Sequence, residues 1–254
     1  MMHQLKRHPF AVCAWFRHSL VLTYAFPEAI LRPLLPPGLE LDTYENLGFV
    51  AIALVQTEKL RPAMMPTWLG QRFILTGYRI FTRYRTKENR VLRGLRILRS
   101  DTNRRLMAMA GNFLTHYNYR LASVQWRESS DRLDINVSTP HVEADLEFTA
   151  FLKNDTAPLP VESPFPDHRR ARLFAGPLPF TFDYEPETHS IILIEGEREK
   201  WHPKPIDVDV RRATFFDQSA FKKARPVLAN AFIVSGIPYR WKRGVREPLP
   251  NLPK

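Results

Sequence analysis

The sequence predicts a mainly β protein with a few short helices, an α+β fold, on three observations. Short segments rich in Val, Ile, Leu, Thr, Tyr and Phe recur along the chain, and several of them alternate with period two. The 22 prolines interrupt helices and central strands, which divides the chain into many short elements. Only one segment has the spacing of a substantial helix. Many short strands with one medium helix are typical of a barrel or of paired sheets.

The predicted strands follow one another with short turns between them. Residues 73–85 are the clearest case, because alternation separates Tyr78 and Ile80 on one face from Arg79 and Phe81 on the other. The other predicted strands span residues 19–26, 39–42, 49–57, 91–98, 117–127, 132–138, 144–152, 180–184, 190–195, 206–216 and 231–241. The strands at 39–42 and 49–57 are expected to pair with each other.

The substantial helix is predicted at residues 101–114, with Asp101 or Thr102 as its N-cap. Shorter helices are predicted at residues 28–34, after Pro27, and at residues 168–174. No linker separates two domains. We therefore expect a single domain over residues 1–246 and a loosely held tail over residues 247–254.

Composition excludes few functions. The chain has 37 Lys and Arg against 26 Asp and Glu, and a net charge of +11 attracts anions without specificity. Cys13 is the single cysteine, so no intrachain disulfide forms, which suits a reducing compartment. The apolar run at residues 9–16 is too short to span a membrane and lacks a signal-peptide cleavage site. We expect a cytoplasmic protein with no membrane partner.

Common metal and cofactor motifs are missing from the sequence. The eight histidines do not pair with another His, Cys or acid at a compact ligand spacing. Neither a phosphate-binding loop, nor a dinucleotide-binding glycine pattern, nor a nucleophile elbow is present. We therefore predict no metal and no cofactor.

The densest cluster of polar side chains flanks the predicted 101–114 helix. It consists of Arg93, Arg96, Arg99, His116, Tyr117, Tyr119 and Arg120. Alternation places the two tyrosines on one face and His116 and Arg120 on the other. If the inner face lines a cavity, it presents guanidinium and phenol groups to a carboxylate. The alternative is that the tyrosines are core residues and the arginines are solvated.

Two further clusters carry charged and aromatic residues together. Residues 195–205 include Glu195 and Trp201 and form either the rim of a cavity or a solvated turn. Residues 239–243, Tyr-Arg-Trp-Lys-Arg, have the composition of a surface that binds single-stranded nucleic acid, and a strand edge explains them equally well.

Three segments resemble the YqjF-like family of uncharacterised proteins. They are residues 31–42, which contain Leu-Pro-Pro-Gly-Leu, residues 93–100, Arg-Gly-Leu-Arg-Ile-Leu-Arg-Ser, and residues 201–205, Trp-His-Pro-Lys-Pro. That family is placed in the acetoacetate decarboxylase-like superfamily. The resemblance therefore implies a β-cone or barrel around an internal cavity.

The same resemblance implies that the decarboxylase nucleophile is missing. Acetoacetate decarboxylases form a Schiff base between a lysine and a β-keto acid. When Gly111 is aligned with the first glycine of their Gly-Arg-Glu-x-x-Gly-Tyr-Pro-Lys-Lys motif, Tyr117 matches its tyrosine, Tyr119 stands in place of the catalytic lysine and Arg120 beside it. A phenol cannot form an imine.

Two functional hypotheses of different classes follow. The first is a cavity for a small anionic or carboxylated molecule, without Schiff-base chemistry. If the protein is an enzyme, its activity is lyase- or hydrolase-like, with Tyr119 as acid or hydrogen-bond donor beside Arg120. The candidate ligand-binding residues are Arg93, Arg96, Arg99, His116, Tyr117, Glu195 and Trp201. The second hypothesis is a non-catalytic protein whose basic surface binds a protein or nucleic acid. A homo-oligomer is compatible with both.

Overall fold

The computed structural model describes residues 2–152, 157–176, 178–199 and 201–250, which fold mainly into strands. The helices of this part of the chain are α1 (Met2–Leu5), α2 (Glu28–Leu31), α3 (Arg105–Leu114) and α4 (His168–Ala175). The strands are β1 (Val12–Pro27), β2 (Leu39–Leu41), β3 (Leu47–Pro62), β4 (Gln71–Arg85), β5 (Val91–Thr102), β6 (Tyr119–Leu121), β7 (Ser123–Glu128), β8 (Arg132–Ser138), β9 (Leu146–Phe151), β10 (Phe180–Glu185), β11 (Ser190–Arg198), β12 (Lys204–Pro205), β13 (Asp207–Ala213), β14 (Val227–Trp241) and β15 (Val245–Pro248). The prediction of a mainly β protein with few helices is confirmed.

The larger sheet closes into a ring of paired strands. Its neighbours run in the order β14, β1, β3, β4, β5, β10 and β11, and β11 pairs again with β14. This last pairing joins Gly196–Arg198 to Tyr239–Trp241. The shorter strands β2, β6, β12 and β15 add to this ring, while β13, β9, β8 and β7 form a separate four-stranded sheet.

Period-two alternation gives the long ring strands two buried faces. On one face of β1 and β3, Leu20, Leu22, Ile52 and Leu54 are almost completely buried against the four-stranded sheet. The main core therefore lies between the two sheets.

The opposite face of the same strands points to the inside of the ring. There the alternate positions of β3 carry Ala51, Ala53 and Val55, which are small for a core. Helix α3 lies across this face, and Ala110 and Leu114 contact the same space. Because the side chains are small, a cavity remains where the other face has a packed core.

The buried carboxylate of Asp42 joins β2 to the ring. It accepts hydrogen bonds from Arg83 Nε at 2.5 Å and from Arg93 Nε at 2.6 Å, and its own side chain is fully buried. Its backbone N–H donates to Phe81 O at 3.0 Å. A single carboxylate thus links β4 and β5 to the segment that follows β2.

Three local predictions differ from the structure. Strand β2 pairs with β4 and not with the 49–57 strand. The predicted caps Asp101 and Thr102 belong to β5, and α3 begins at Arg105, because Arg99 holds the buried Asp101 carboxylate. The predicted 117–127 strand begins only at Tyr119, after a turn at Asn118 with a φ of 50°, and it is divided at Ala122 between β6 in the larger sheet and β7 in the four-stranded sheet.

The predicted loosely held tail is also corrected for the part that the structure describes. Strand β15 pairs with the free edge of β11, and Glu247 accepts a hydrogen bond from Tyr84 Oη at 2.7 Å. Leu249 N donates to His189 O at 2.9 Å. Residues 251–254 lie outside the described residues. None of the described helices is both long enough and apolar enough to cross a membrane.

We expect Asp42→Asn to lower the free energy of unfolding by about 2 kcal/mol, measured by urea denaturation. The substitution replaces one acceptor oxygen with an amide N–H₂ group, which then points toward the guanidinium of Arg83 or Arg93. Glu162→Gln is the control, because Glu162 pairs with Arg225 and both side chains are more than half exposed. Equal losses in the two variants would show that the Asp42 link contributes no more than a surface pair.

Candidate functional site

The candidate site is a cavity of about 480 Å³ inside the ring of strands. Its walls come from the inner faces of β1, β3, β4 and β5, from α3, and from the ends of β11 and β14. Most of its lining side chains are aliphatic or aromatic. A volume in this range is typical of pockets that enclose a small organic molecule.

The cavity opens between α3 and the connection from β3 to β4. Met65, Leu69 and Leu106 line the cavity and are also exposed to solvent, at 45%, 42% and 61%. Arg61 supports this connection, because its guanidinium donates to the backbone carbonyls of Lys59 and Met65 at 3.0 Å each. The opening is therefore formed by two separate elements with apolar residues.

The most unusual group in the cavity is the Arg79 guanidinium. Within the described residues the lining contains Arg61, Arg79 and Arg198 but no Asp, Glu or Lys. Arg79 Nε is buried and has no hydrogen-bond partner in the described part of the chain. Burial lowers the pKa of Arg79, and the phenols of Tyr239, Tyr119 and Tyr117 act in the opposite direction. A buried guanidinium without a carboxylate is costly unless another anion reaches it.

Two tyrosines from the turn after α3 also line the cavity. The rings of Tyr117 and Tyr119 lie 6.3 Å apart between centroids. Burial raises the pKa of Tyr119 to about 12 and the pKa of Tyr117 further above its ordinary value. Both phenols are therefore neutral near pH 7. The Tyr117 hydroxyl is buried without a hydrogen-bond partner among the described residues.

The end of α3 fixes the position of Tyr119. The Asn112 side chain accepts a hydrogen bond from Tyr119 N at 2.7 Å and donates one to Tyr119 O at 2.8 Å. Gly111 faces the ring so closely that a Cβ at this position would overlap it. A helical glycine and a side-chain amide thus hold the phenol against the cavity.

The predicted 195–205 cluster supplies the opposite wall. The Arg198 guanidinium lies 5.0 Å from the Trp201 ring and donates to Tyr239 Oη at 3.3 Å. Trp201 Nε1 and His8 Nδ1 are further lining atoms that are buried without a partner among the described residues. Arg79 Nε and Tyr117 Oη are likewise buried lining atoms without a hydrogen-bond partner among the described residues.

The three arginines that the sequence suggested as ligand-binding residues lie outside the cavity lining. Arg93 holds Asp42 and donates to Phe174 O at 2.9 Å. Arg96 pairs with Asp183, and Arg99 pairs with Asp101 and Glu143. These arginines are neutralised by protein carboxylates, so their charges are already balanced.

A bulge in β5 explains the position of Arg99. Tyr78 pairs with Arg99 and Arg79 pairs with Ile97, so Leu98 is the extra residue. Ile97 lines the cavity before the bulge, and Ser100 lines it afterwards. The inserted residue reverses the alternation, which moves Arg99 away from the inner face.

Tyr117, Tyr119 and Trp201, which the sequence predicts as site residues, line the cavity, whereas three other predicted residues do not. Arg120 is exposed and pairs with Glu143. Glu195 accepts a hydrogen bond from Lys242 Nζ at 3.0 Å. His116 lies outside the lining, and burial lowers its pKa.

The basic segment at residues 239–243 has its aromatic rings directed into the protein. Tyr239 and Trp241 line the cavity with their ring centroids 4.4 Å apart. Lys242 lies 3.0 Å from carboxylate oxygens of Glu195 and Glu197. The rings that would stack on nucleic-acid bases are therefore committed to the cavity wall.

Two cavity arginines, Arg79 and Arg198, are not among the site residues that the sequence predicts. Arg79 shares its strand face with the apolar Phe81, and an arginine on an otherwise apolar face is the sequence feature that indicates its position. Arg198 lies within the 195–205 cluster, three residues before Trp201. Among the described residues, no group of three or more His, Cys, Asp or Glu is arranged to hold a metal ion.

The sequence is similar to a family of conserved proteins and to one curated relative. Residues 14–238 match the model of the DUF2071 family, described as an uncharacterized conserved protein. The uncharacterized protein YqjF of Bacillus subtilis (strain 168) is 27% identical over 150 residues. That match covers 58% of this chain and 60% of YqjF, so the similarity extends over less than two thirds of the relative.

Solved structures share the fold at low sequence identity. The enduracididine biosynthesis enzyme MppR, complexed with pyruvate, has a TM-score of 0.58 and 13% identity, with 94% of this chain and 90% of that chain covered. An acetoacetate decarboxylase has a TM-score of 0.59 and 13% identity, with 96% and 91% covered. The acetoacetate decarboxylase of Legionella pneumophila has a TM-score of 0.57 and 13% identity, with 92% and 86% covered. The fold is acetoacetate decarboxylase-like.

We expect Gly111→Ala to destabilise the protein, although a Gly-to-Ala change inside a helix ordinarily stabilises by about 1 kcal/mol. The new methyl group would overlap the Tyr119 ring. In a Tyr119→Ala background the same change should recover its ordinary stabilising effect. Urea denaturation of the four proteins in this cycle measures the coupling. Stabilisation by Gly111→Ala in both backgrounds would contradict the close contact.

Proposed function

Because the chain belongs to the DUF2071 family of uncharacterized conserved proteins, whose model matches residues 14–238, we propose that it binds a small carboxylate-bearing molecule in its cavity. The observation that carries this proposal is the Arg79 guanidinium. Its Nε is buried without a partner among the described residues, it lies among apolar and phenolic groups, and the described lining offers it no carboxylate.

The proposed role of Arg79 follows from the cost of burying a charge. An unpaired buried ion carries a desolvation penalty that a protein ordinarily offsets with an opposite charge. The arginines of the neighbouring strand β5 are offset in this way, for example Arg93 by Asp42. A ligand carboxylate would complete the same arrangement for Arg79, and its planar group suits the two parallel N–H donors of a guanidinium.

The phenols and the apolar walls define the rest of the ligand. Tyr117 Oη and Trp201 Nε1 are buried lining atoms without a partner among the described residues, and we propose that they donate to a second polar group, such as a carbonyl or hydroxyl oxygen. The aliphatic and aromatic walls favour an apolar body beyond the carboxylate. MppR, which shares the fold, has been solved complexed with pyruvate, itself a small carboxylic acid. That complex supports an acid as the ligand class here.

We further propose that the bound acid undergoes no Schiff-base chemistry. The alignment with the decarboxylase motif assigns Tyr119 to the position of the catalytic lysine, and the described lining contains no lysine. Lys153 and Lys200 lie outside the described residues. With a pKa raised to about 12, Tyr119 is suited to donate a hydrogen bond and not to transfer its proton at neutral pH.

A calorimetric titration tests the acid proposal. We expect straight-chain and aromatic carboxylic acids of a size that fits the cavity to bind, and the primary amides of the same acids to bind far more weakly. Arg79→Met should reduce acid affinity about 100-fold, equivalent to about 2.7 kcal/mol. The unliganded Arg79→Met protein should be as stable as the wild type or more stable, because it no longer buries an unpaired charge.

Arg96→Met is the matched control. Arg96 is a largely buried arginine on the neighbouring strand, but it pairs with Asp183 outside the cavity. This variant should lose stability while it keeps acid affinity within about twofold. Acids and amides that bind equally well, or equal affinity losses in the two variants, would contradict the role of Arg79.

Borohydride trapping tests the chemical part of the proposal. After incubation with acetoacetate and borohydride, we expect mass spectrometry of the intact protein to show no stoichiometric adduct, because the described lining of the cavity contains no lysine. A Schiff-base acetoacetate decarboxylase treated in parallel is the positive control. A single adduct on any lysine, abolished by Lys→Arg at that position, would overturn the absence of Schiff-base chemistry.

A further inference from the structure

Exposed apolar side chains lie on the β3–β4 connection and on α3, the two elements that contribute the exposed lining residues of the cavity, and we call them the apolar rim. It consists of Met64, Met65, Trp68, Leu69, Leu106, Met109 and Phe113. Trp68 and Met64 are 80% and 81% exposed, and Met109 is 71% exposed. Large apolar side chains that cluster on one exposed surface mark interaction sites more often than isolated ones do.

Helix α3 presents one apolar side to solvent in addition to the side that it buries. Leu106, Met109 and Phe113 are spaced by three and four residues and therefore lie along one side of the helix. Ala108 and Gly111 are the buried residues of the same helix. Packing within the described part of the chain does not require the exposed side of this helix to be apolar.

The elements that carry the apolar rim contain basic residues and no acids. Between Lys59 and Arg72, and again between Asn103 and Arg120, the sequence contains no Asp or Glu. Lys59, Arg72, Arg104 and Arg105 are exposed. Within the described residues, Arg104 and Arg105 have no ion-pair partner, unlike most of the arginines of the ring strands. The apolar rim is thus flanked by unneutralised positive charge.

We propose that the apolar rim docks on an anionic lipid bilayer. Its apolar side chains would enter the boundary between headgroups and acyl chains, and the flanking arginines would contact lipid phosphates. The exposed Trp68 is the residue type that favours this boundary. The proposal does not depend on what the cavity binds.

Charge favours a bilayer over a second copy of the chain. A symmetric contact would place the same surface on both copies, so each cluster of arginines would face its counterpart without an acid between them. An anionic bilayer supplies the opposite charge over the whole surface. The sequence predicts no membrane partner because it contains no segment that could span a bilayer. Docking on the bilayer surface does not require such a segment.

Flotation with lipid vesicles tests the proposal on the full-length protein. We expect the protein to float with vesicles of phosphatidylcholine containing roughly one third phosphatidylglycerol, and much less with vesicles of pure phosphatidylcholine. Met64→Ser with Trp68→Ser should reduce the bound fraction at least about tenfold. The control is Val161→Ser with Leu173→Ser, which removes two exposed apolar side chains from other parts of the surface.

A charge-matched pair of variants separates docking from diffuse attraction. Arg104→Glu with Arg105→Glu should abolish the preference for phosphatidylglycerol. Arg85→Glu with Arg127→Glu changes the net charge by the same amount at exposed positions on other strands and should retain most of the binding. Circular dichroism and the unfolding midpoint confirm that each variant is folded.

Four results would overturn the proposal. The first is a lack of flotation with anionic vesicles. The second is equal loss of binding in the two arginine variants, which would assign it to the net charge. The third is unchanged binding by the Met64 and Trp68 variant. The fourth is a dimer in light scattering that the rim substitutions dissociate, which would assign the surface to a second copy.

Discussion

Strands β1, β3 and β4 bury both of their faces, and the rest of the structure follows from how each face is covered. The four-stranded sheet packs on one face, where large residues such as Leu22 and Ile52 fill the space. On the other face, the pairing of β11 with β14 closes the ring, and small residues such as Ala51 and Ala53 leave the cavity open. Side-chain size on alternate positions therefore separates a packed core from a cavity within the same strands.

Carboxylates determine which arginines are structural. Several strand arginines are neutralised by carboxylates of other segments, for example Arg96 by Asp183, and these pairs bind strands to one another. Carboxylates are missing from the described lining of the cavity and from the elements around its opening. Arg79 in the cavity and the exposed Arg104 and Arg105 on α3 and the turn before it therefore have no carboxylate partner among the described residues.

The sequence predicts the site correctly where the site residues are close in sequence and the strand alternates regularly. Alternation predicts Tyr117 and Tyr119 on one face, and both line the cavity, although the turn at Asn118 separates Tyr117 from Tyr119, the first residue of β6. Arg99 was misplaced because the bulge at Leu98 reverses the alternation, which a sequence pattern alone does not reveal. Arg79 was assigned to the correct face but not singled out, because its lack of a carboxylate partner depends on distant segments.

The sequence by itself determined a mainly β chain, most of its strands and the resemblance to acetoacetate decarboxylase-like proteins. These features depend on local periodicity and on residues that are adjacent in the chain. Tertiary structure alone decided which charges are neutralised, since Asp42 meets Arg93 from 51 residues away and Arg96 meets Asp183 from 87. It also decided that α3 and the β3–β4 connection surround one opening. Burial and ion pairing are properties of contacts between distant segments, and no local pattern encodes them.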